Sequence, residues 1–464
     1  MTDSWATFGA DLHLDLTAGR GLRAGLTEAL REAARSGRLA PGTRLPSSRS
    51  LAADLGVARN TVAEAYAELV AEGWLTARQG SGTRVAERAR PRRPGAPAPV
   101  RRPVRRGPAY SLVPGSPDLG AFPRAAWLSA ARRALTDAPN DAFGYAEEAR
   151  GRIELREALA GYLTRARGVY ADPGRIVLCA GFLHGLTLLA GVLWARKVRE
   201  VAVEGYGLHF HRDLLTRAGL RTRPLGVDGE GARTGELTAG PGAVLLTPAH
   251  QFPTGAALAP ARRAAVVDWA RSTGGLVLED DYDGEFRYDR QAVGALQGLD
   301  PERVVYLGTA SKSLAPGLRI GWMVVPPGMV DEVLAVKGAT DWTSSALEQL
   351  TLAAFITSGA YDRHVRGMRL RYRRRRDELV AAVGDRVAVS GIAAGLHAVL
   401  DLPAGTERSV VQSAAWQDLA VHGLSAFRHP QAELAPRDAL VVGYGTPSDS
   451  AWSPTLAALA AALP

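Results

Sequence analysis

The sequence predicts a two-part α/β protein: a small helical module with a β-hairpin, a linker, and a large domain built on a mostly parallel sheet. Three observations carry that prediction. Residues 1–110 hold 18 Arg against 10 Asp and Glu, whereas the rest of the chain is nearly neutral, with 38 basic and 37 acidic residues. Residues 87–109, which include "RARPRRPGAPAPVRRPVRRGP", are dense in Pro and Arg without apolar periodicity, a composition that cannot bury a core. From Tyr110 onward, short β-branched runs alternate with helical stretches, the pattern of an α/β domain. The expected division is therefore a basic module at 16–86, a linker at 87–109 and a larger domain at 110–464.

Bulk properties narrow the class. The chain has 464 residues, 46% of them hydrophobic, enough for roughly two to four folded units. Met1 to Leu14 has no basic start followed by an apolar core, and no apolar run reaches spanning length, so a cytoplasmic protein without a membrane partner is expected. The lone Cys179 excludes an intramolecular disulfide and a cysteine-rich metal centre, and no His/Cys/Asp cluster has metal-ligand spacing. The net charge of +9 is concentrated at the front, which points to a polyanion there, double-stranded DNA above all.

In the front module, Arg23 to Gly37 reads as an amphipathic helix, followed by a turn at Pro41-Gly42. Ser47 or Ser48 can cap a short helix that runs to Leu55 and is broken at Gly56. A second helix spans Arg59 to Glu72, with Val62, Tyr66, Leu69 and Val70 facing inward. Trp74 to Ala77 and Thr83 to Val85 read as two strands around "RQGSG". The start of the second helix presents Arg59, Asn60 and Thr61, side chains suited to base edges in a major groove, Arg to guanine in particular. Arg44, Arg49, Arg78 and the hairpin tip at Gln79 and Gly80 suit the phosphate backbone.

In the larger domain the predicted strands are Val177 to Cys179, Val201 to Val203, Val244 to Thr247, Leu276 to Glu279, Val304 to Leu307 and Ile320 to Val325. Several lack period-2 alternation, as expected when helices cover both faces of a sheet. Ligands of such sheets collect at the carboxyl ends of the strands. Three such ends carry chemistry: Thr247 leads into "PAHQFPTG", Glu279 into Asp280, Asp281 and Tyr282, and Leu307 into "TASKSLAPGLRIGW". The chain has only three lysines, Lys197, Lys312 and Lys337, among its 56 basic residues. Arginine stays protonated and cannot form an imine, whereas a desolvated lysine can. Lys312 is thus a candidate covalent anchor.

A lysine for an aldehyde, a carboxylate for a pyridine nitrogen, a tyrosine for a phenolate oxygen, and hydroxyls with an Arg for a phosphate describe pyridoxal 5'-phosphate. Thr309, Ser311 and Arg319 bracket Lys312 as phosphate ligands. Ala180, Gly181 and Phe182 form a strand-to-helix turn whose N–H groups suit an anion. Alternative readings stay open: Asp280 or Asp281 could cap a helix or pair with Arg287, and Tyr206 and Tyr145 could be core edges. His250 and Gln251 are either cofactor-facing, the favoured reading, or buried and hydrogen-bonded. The run "RLRYRRRRDEL" from Arg369 reads as a solvated helix face.

Two resemblances follow from these stretches. "SGRLAPGTRLPSSRSLAADLGVARNTVAEAYAELVAEGWLTARQGSGTRVA" resembles the winged helix-turn-helix of GntR-type regulators, which implies that Arg49, Arg59, Thr61 and Gly80 meet operator DNA. "GYAEEARGRIELREALAGYL", "TPAHQFPTG", "EDDYDGEFRY" and "TASKSLAPGLRIGW" resemble the fold-type I aminotransferase-like domain. That fold implies a mostly parallel sheet and a smaller C-terminal subdomain. The two parts together resemble the MocR subfamily of GntR regulators. The resemblance implies that Lys312 carries the cofactor, Asp280 partners the pyridine nitrogen, Tyr282 the phenolic oxygen, and Arg319 with Thr309 the phosphate. It also implies that Tyr206 neighbours the ring and that Tyr145 reaches the phosphate of the opposite subunit in a homodimer.

The sequence departs from aminotransferases in two places. Phe252 stands where they carry an Asn before Pro-Thr-Gly, and the late strand "ALVVGYG" lacks the Arg that grips an α-carboxylate. Arg428 in "AFRHP" is the nearest substitute. The expected function is accordingly a regulator that senses pyridoxal phosphate, alone or with an amine or amino-acid effector. An active aminotransferase with a DNA-binding appendage is the alternative.

Overall fold

The computed structural model describes residues 21–78, 82–87, 107–144, 149–288, 293–340 and 345–464. The chain divides into two compact units, Met1–Arg105 and Arg106–Pro464.

The first unit contains α1 (Leu22–Ser36), α2 (Ser48–Leu55), α3 (Arg59–Ala71) and an antiparallel pair, β1 (Leu75–Arg78) and β2 (Gly82–Val85). The Ser47 hydroxyl accepts the Ser50 N–H at 3.1 Å, which satisfies an orphan donor of α2. Gly56 ends that helix in the left-handed region, at φ 66°, a conformation a side chain adopts only at a cost. Leu26 and Leu30 of α1 pack with Leu51 of α2 and with Val62, Tyr66 and Leu69 of α3. Val70, expected inside, is only half-buried. The Tyr66 hydroxyl donates to the Pro46 carbonyl at 3.1 Å and so ties α3 to the turn before α2.

In the second unit seven strands form one sheet: β3 (Ile176–Cys179), β4 (Glu200–Glu204), β5 (Arg221–Leu225), β6 (Ala243–Leu246), β7 (Leu276–Asp280), β8 (Val304–Thr309) and β9 (Gly321–Val324). Their order is β3-β9-β8-β7-β6-β4-β5. All neighbours are parallel except β9, which runs antiparallel to β3 and β8. Strands of the sheet, the edge strand β3 included, send alternate side chains to opposite apolar layers. Ile176 and Leu178 join a cluster with Leu155, Leu159 and Phe355, whereas Val177 and Cys179 join one with Leu186 and Leu189. With both directions apolar, period-2 polarity disappears from the sequence, as the unpatterned runs predicted.

Two expectations need correction. Strand β5, "RTRPL", was not anticipated because it is polar and contains Pro224. It is an edge strand, where one side needs no ladder partner and Pro is tolerated. The helix Ala360–Val383 is not simply solvated along its arginine run: Tyr372 and Arg375 are fully buried. Asp118, itself buried, accepts from the Arg375 guanidinium at 3.0 Å and from Arg371 at 2.5 Å, and Asp449 reaches Arg375 at 2.9 Å. Arginine in a helix can thus face a buried carboxylate, which charge periodicity alone does not reveal.

A second, four-stranded antiparallel sheet is ordered Val389–Ser390, His397–Asp401, Ala439–Gly443, His422–Gly423. The stretch Tyr110–Ser111 pairs with Leu419–Ala420, and the Gly443 N–H donates to the Leu112 carbonyl. The opening strap of the unit is thereby stitched to this smaller layer.

Removing Asp118 should leave the buried Arg375 charge with only the exposed Asp449 carboxylate. Asp118→Ala should lower unfolding stability by about 3 kcal/mol in chemical denaturation.

Glu279 and Glu285 are buried and pushed up to about 7, in both cases by burial first and by the Asp281 charge second. Both folded values exceed the ordinary 4.5, so the native state keeps protons that the unfolded chain releases. Their stabilising contribution is complete below pH 4.5 and is lost as pH rises through about 7. Glu285→Gln should flatten that decline in melting temperature measured across this window.

Candidate functional site

Parallel strands that end at one edge deliver their following residues to one rim, and at that rim lies a cavity of about 570 Å³. Lys312 follows β8, Asp280 ends β7, Tyr282 lies two residues beyond, Thr247 follows β6, and Glu204 ends β4. All five line the cavity. Val113 to Ser116 of the opening strap cover another side.

The Lys312 amine donates to the Gly115 carbonyl. Burial lowers its pKa below the ordinary lysine value, against the raising effect of the Asp280 and Asp283 carboxylates. Asp280 is buried, and its Oδ1 has no hydrogen-bond partner among the described residues. Burial raises its pKa well above the ordinary carboxylate value. The Lys312 charge opposes that rise, and Asp281, Asp283 and Glu204 add to it. The buried carboxyl group and the half-buried amine thus each resist the charged form.

The neighbouring acid has a different fate. Asp281 turns into the core, where Arg167 donates to it at 2.7 and 3.0 Å and the Tyr306 hydroxyl at 2.8 Å. Two consecutive acids therefore divide between cavity and core, and Asp281 is held by Arg167.

Thr309, Ser311 and Arg319 line the cavity beside Lys312. The Thr309 hydroxyl accepts the Ser311 N–H at 3.1 Å and lies 2.8 Å from the Ser311 hydroxyl. Gly181 caps the helix Phe182–Ala195 at φ 90°, with Phe182 lining the cavity. A Cβ on Gly321 would sit 2.7 Å from the Gly181 Cα, so the backbones of the cap and β9 touch directly. The Arg319 guanidinium lies against Gly181 on the cavity side. Helix N–H groups, hydroxyls and a guanidinium at one place are the donors that an anion would need.

Tyr206 lines the cavity and is nearly buried. Phe252 lines it too, its ring packed edge-on against Tyr282 at 6.2 Å and Phe427 at 5.2 Å. The Tyr282 hydroxyl donates to the His250 carbonyl at 3.0 Å.

Three expectations are revised. His250 and Gln251 do not line the cavity; both are buried and hydrogen-bonded behind it. The Gln251 amide donates to Glu204 at 3.2 Å and to the carbonyls of Tyr206 and Phe252 at 3.1 and 2.6 Å, a clamp that holds the cavity wall. Arg428 does not enter the cavity: its guanidinium donates to the carbonyls of Ala432 and Leu434, at 3.0 and 2.9 Å. His250, Asp283 and His397, from three different segments, place donor atoms within 4.8 Å of one another, a grouping that linear spacing could not show. The first two are joined to each other, and His397 Nε2 lies 3.1 Å from the Pro253 carbonyl.

Sequence reasoning missed Glu204 and Arg212. Glu204 is an acid at a strand's carboxyl end, a signal available beside Tyr206. Burial pushes it up to about 7, although Thr247 and Gln251 hydrogen-bond to it. Arg212 lines the cavity, but its guanidinium donates to the carbonyls of Gly207, Phe427 and Arg428.

In the first unit Arg44, Arg49, Arg59, Asn60 and Arg78 are exposed and Thr61 is half-buried, with Arg59 to Thr61 forming the first turn of α3. Gln79, Gly80 and Tyr145 lie outside the described residues.

The comparisons agree with this division. Residues 22–85 match the family described as bacterial regulatory proteins, gntR family, and residues 117–433 match aminotransferase class I and II. The chain is 34% identical over 446 residues to the HTH-type transcriptional regulator YhdI of Bacillus subtilis, covering 90% of this chain and 93% of that one. It is 34% identical over 459 residues to the probable rhizopine catabolism regulatory protein MocR of Rhizobium meliloti, covering 93% and 92%. It is 32% identical over 436 residues to the pyridoxine biosynthesis transcriptional regulator PdxR of Corynebacterium glutamicum, covering 91% of each. Among solved structures, an archaeal alanine:glyoxylate aminotransferase superposes with a TM-score of 0.68 at 25% identity, over 76% of this chain and 89% of that one. No helix among the described residues is long and apolar enough to cross a membrane. With a GntR-type winged helix-turn-helix ahead of an aminotransferase-like domain, the chain belongs to the MocR subfamily of GntR transcriptional regulators.

Proposed function

We propose that the protein binds operator DNA through residues 16–86 and pyridoxal 5'-phosphate through Lys312 in residues 110–464, joined by the linker at 87–109, and that cofactor or amine binding adjusts DNA affinity. The observation that carries this reading is the buried Asp280 Oδ1, without a partner among the described residues, on a side chain that lines the same cavity as the Lys312 amine, whose pKa is lowered. A lone buried acceptor asks for a donor, and a pyridine nitrogen that carries a proton supplies one. The donor set around it fits the rest of that group: Arg319, Thr309, Ser311 and the Gly181 cap for a phosphate, Tyr282 for a phenolic oxygen, and Tyr206 beside the ring.

When bound, the cofactor supplies an aldehyde and an electron-accepting ring. The chain's own residues do the remainder. The depressed pKa leaves more of the Lys312 amine unprotonated and nucleophilic at neutral pH. Asp280 holds a proton or a charge opposite it, and Phe252 keeps water from the wall. A homodimer in which Tyr145 serves the opposite site belongs to the same proposal. The name of the relative PdxR, which concerns pyridoxine biosynthesis, supports vitamin B6 as the sensed molecule. Regulation is preferred over turnover because Arg212 and Arg428 are both committed to backbone carbonyls, which leaves neither to grip an α-carboxylate.

Added pyridoxal phosphate should give the purified protein a visible absorption band, which Lys312→Ala abolishes. A colourless parent would defeat the cofactor reading, and steady keto-acid formation from amino donors would favour an aminotransferase instead.

Arg59→Ala should weaken operator binding by about 1–3 kcal/mol in a fluorescence assay, the worth of one guanine contact. Unchanged affinity would remove Arg59 from the interface.

A further inference from the structure

Behind Tyr282 lies a buried polar group that the anchoring of a cofactor does not itself require. His250 and Asp283 are 2% and 1% exposed, and His250 Nδ1 lies 2.9 Å from Asp283 Oδ2. A carboxylate only accepts, so its presence assigns the proton to Nδ1. Nδ1 is also 3.2 Å from the Tyr282 hydroxyl, but a nitrogen already donating to Asp283 has no lone pair to offer. The hydroxyl is left to donate to the His250 carbonyl at 3.0 Å, which turns its lone pairs toward the cavity.

The pair is tightly enclosed. A Cβ on Gly395, a residue at φ 71°, would sit 2.3 Å from both Asp283 Oδ2 and His250 Nδ1. The His397 ring lies 4.7 Å from the His250 ring and is kept neutral: burial, then His250, hold its pKa well below the ordinary histidine value. Asp283 Oδ1 is buried without a partner among the described residues, so its charge is poorly screened.

We propose that Asp283 and His250 are positioning residues: they fix the direction of the Tyr282 hydroxyl and hold a negative charge behind the Lys312 amine. The inference rests on the cofactor reading above. The charged and titratable groups that act on Tyr282 are Asp280 and Asp283 from its own stretch, Glu204 from β4 and His250 from the loop after β6; His397 from the second sheet and Lys312 from the turn after β8 line the same cavity. Of these, Asp283 touches His250 and acts on both Tyr282 and Lys312. A negative charge there favours a proton on the Lys312 nitrogen, so its removal should make that proton leave at lower pH.

The test is a pH titration of the visible band in the full-length protein loaded with pyridoxal phosphate. Asp283→Asn, which keeps the shape, should lower the midpoint by about one unit, a tenfold change in the proton equilibrium. In a Tyr282→Phe background the same substitution should shift the midpoint by less than half as much, because a coupled pair is not additive. A midpoint unmoved by Asp283→Asn, with a changed melting temperature only, would overturn the proposal in favour of a purely structural pair. A full shift retained in the Tyr282→Phe background would overturn the part that acts through the hydroxyl. If Asp283→Asn does not fold, His250→Gln carries the test, and an unmoved midpoint again overturns it. A parent with no visible band defeats the cofactor reading itself, an outcome distinct from a band whose midpoint does not respond.

Discussion

An amine and a carboxyl group, one half-buried and the other buried, both lining one cavity, are the constraint around which the larger unit is organised. Burial disfavours the charge on Lys312 and on Asp280, and each charge partly offsets the other's cost. Such a pair is unfavourable as a purely structural feature, since apolar residues would fill the space better. It persists where the surrounding structure holds it in place.

The sheet supplies that hold. Parallel strands β4, β6, β7 and β8 end at one edge, and both of their faces are covered by apolar layers that admit little movement. The wall between them is fastened by hydrogen bonds as well as by the packing of Tyr206, Phe252 and Phe427. Gln251 joins Glu204, Tyr206 and Phe252, while the opening strap lends the Gly115 carbonyl to Lys312. That strap follows the linker in sequence and touches the Lys312 amine. A ligand shifts an equilibrium only through contacts that differ between states, and this contact is one that covalent capture of the amine would change.

Much of the fold and site was legible in the sequence. The six β-branched runs, the helix caps at Ser47 and Gly56, and the edge to which Lys312, Asp280 and Tyr282 belong all follow from local chemistry. Strand β5 was hidden because an edge strand may be polar and may hold Pro224. The buried Arg375 was hidden inside a run of arginines that looks solvated, since its partner Asp118 is far away in sequence. Glu204 gave a readable signal as an acid at a strand's carboxyl end. The pairing of His250 with Asp283 gave none.

By itself, then, the sequence determined the order of the parts, the charge of the front module and the residue types that meet at the rim, because strand and helix propensity, capping and charge are properties of neighbours along the chain. Only the tertiary structure decided that Asp281 turns into the core to meet Arg167, that Arg428 turns away from the cavity, and that His250 stands behind Tyr282. Those choices depend on the side a strand residue faces and on what a distant segment places opposite it, and neither is encoded in local spacing.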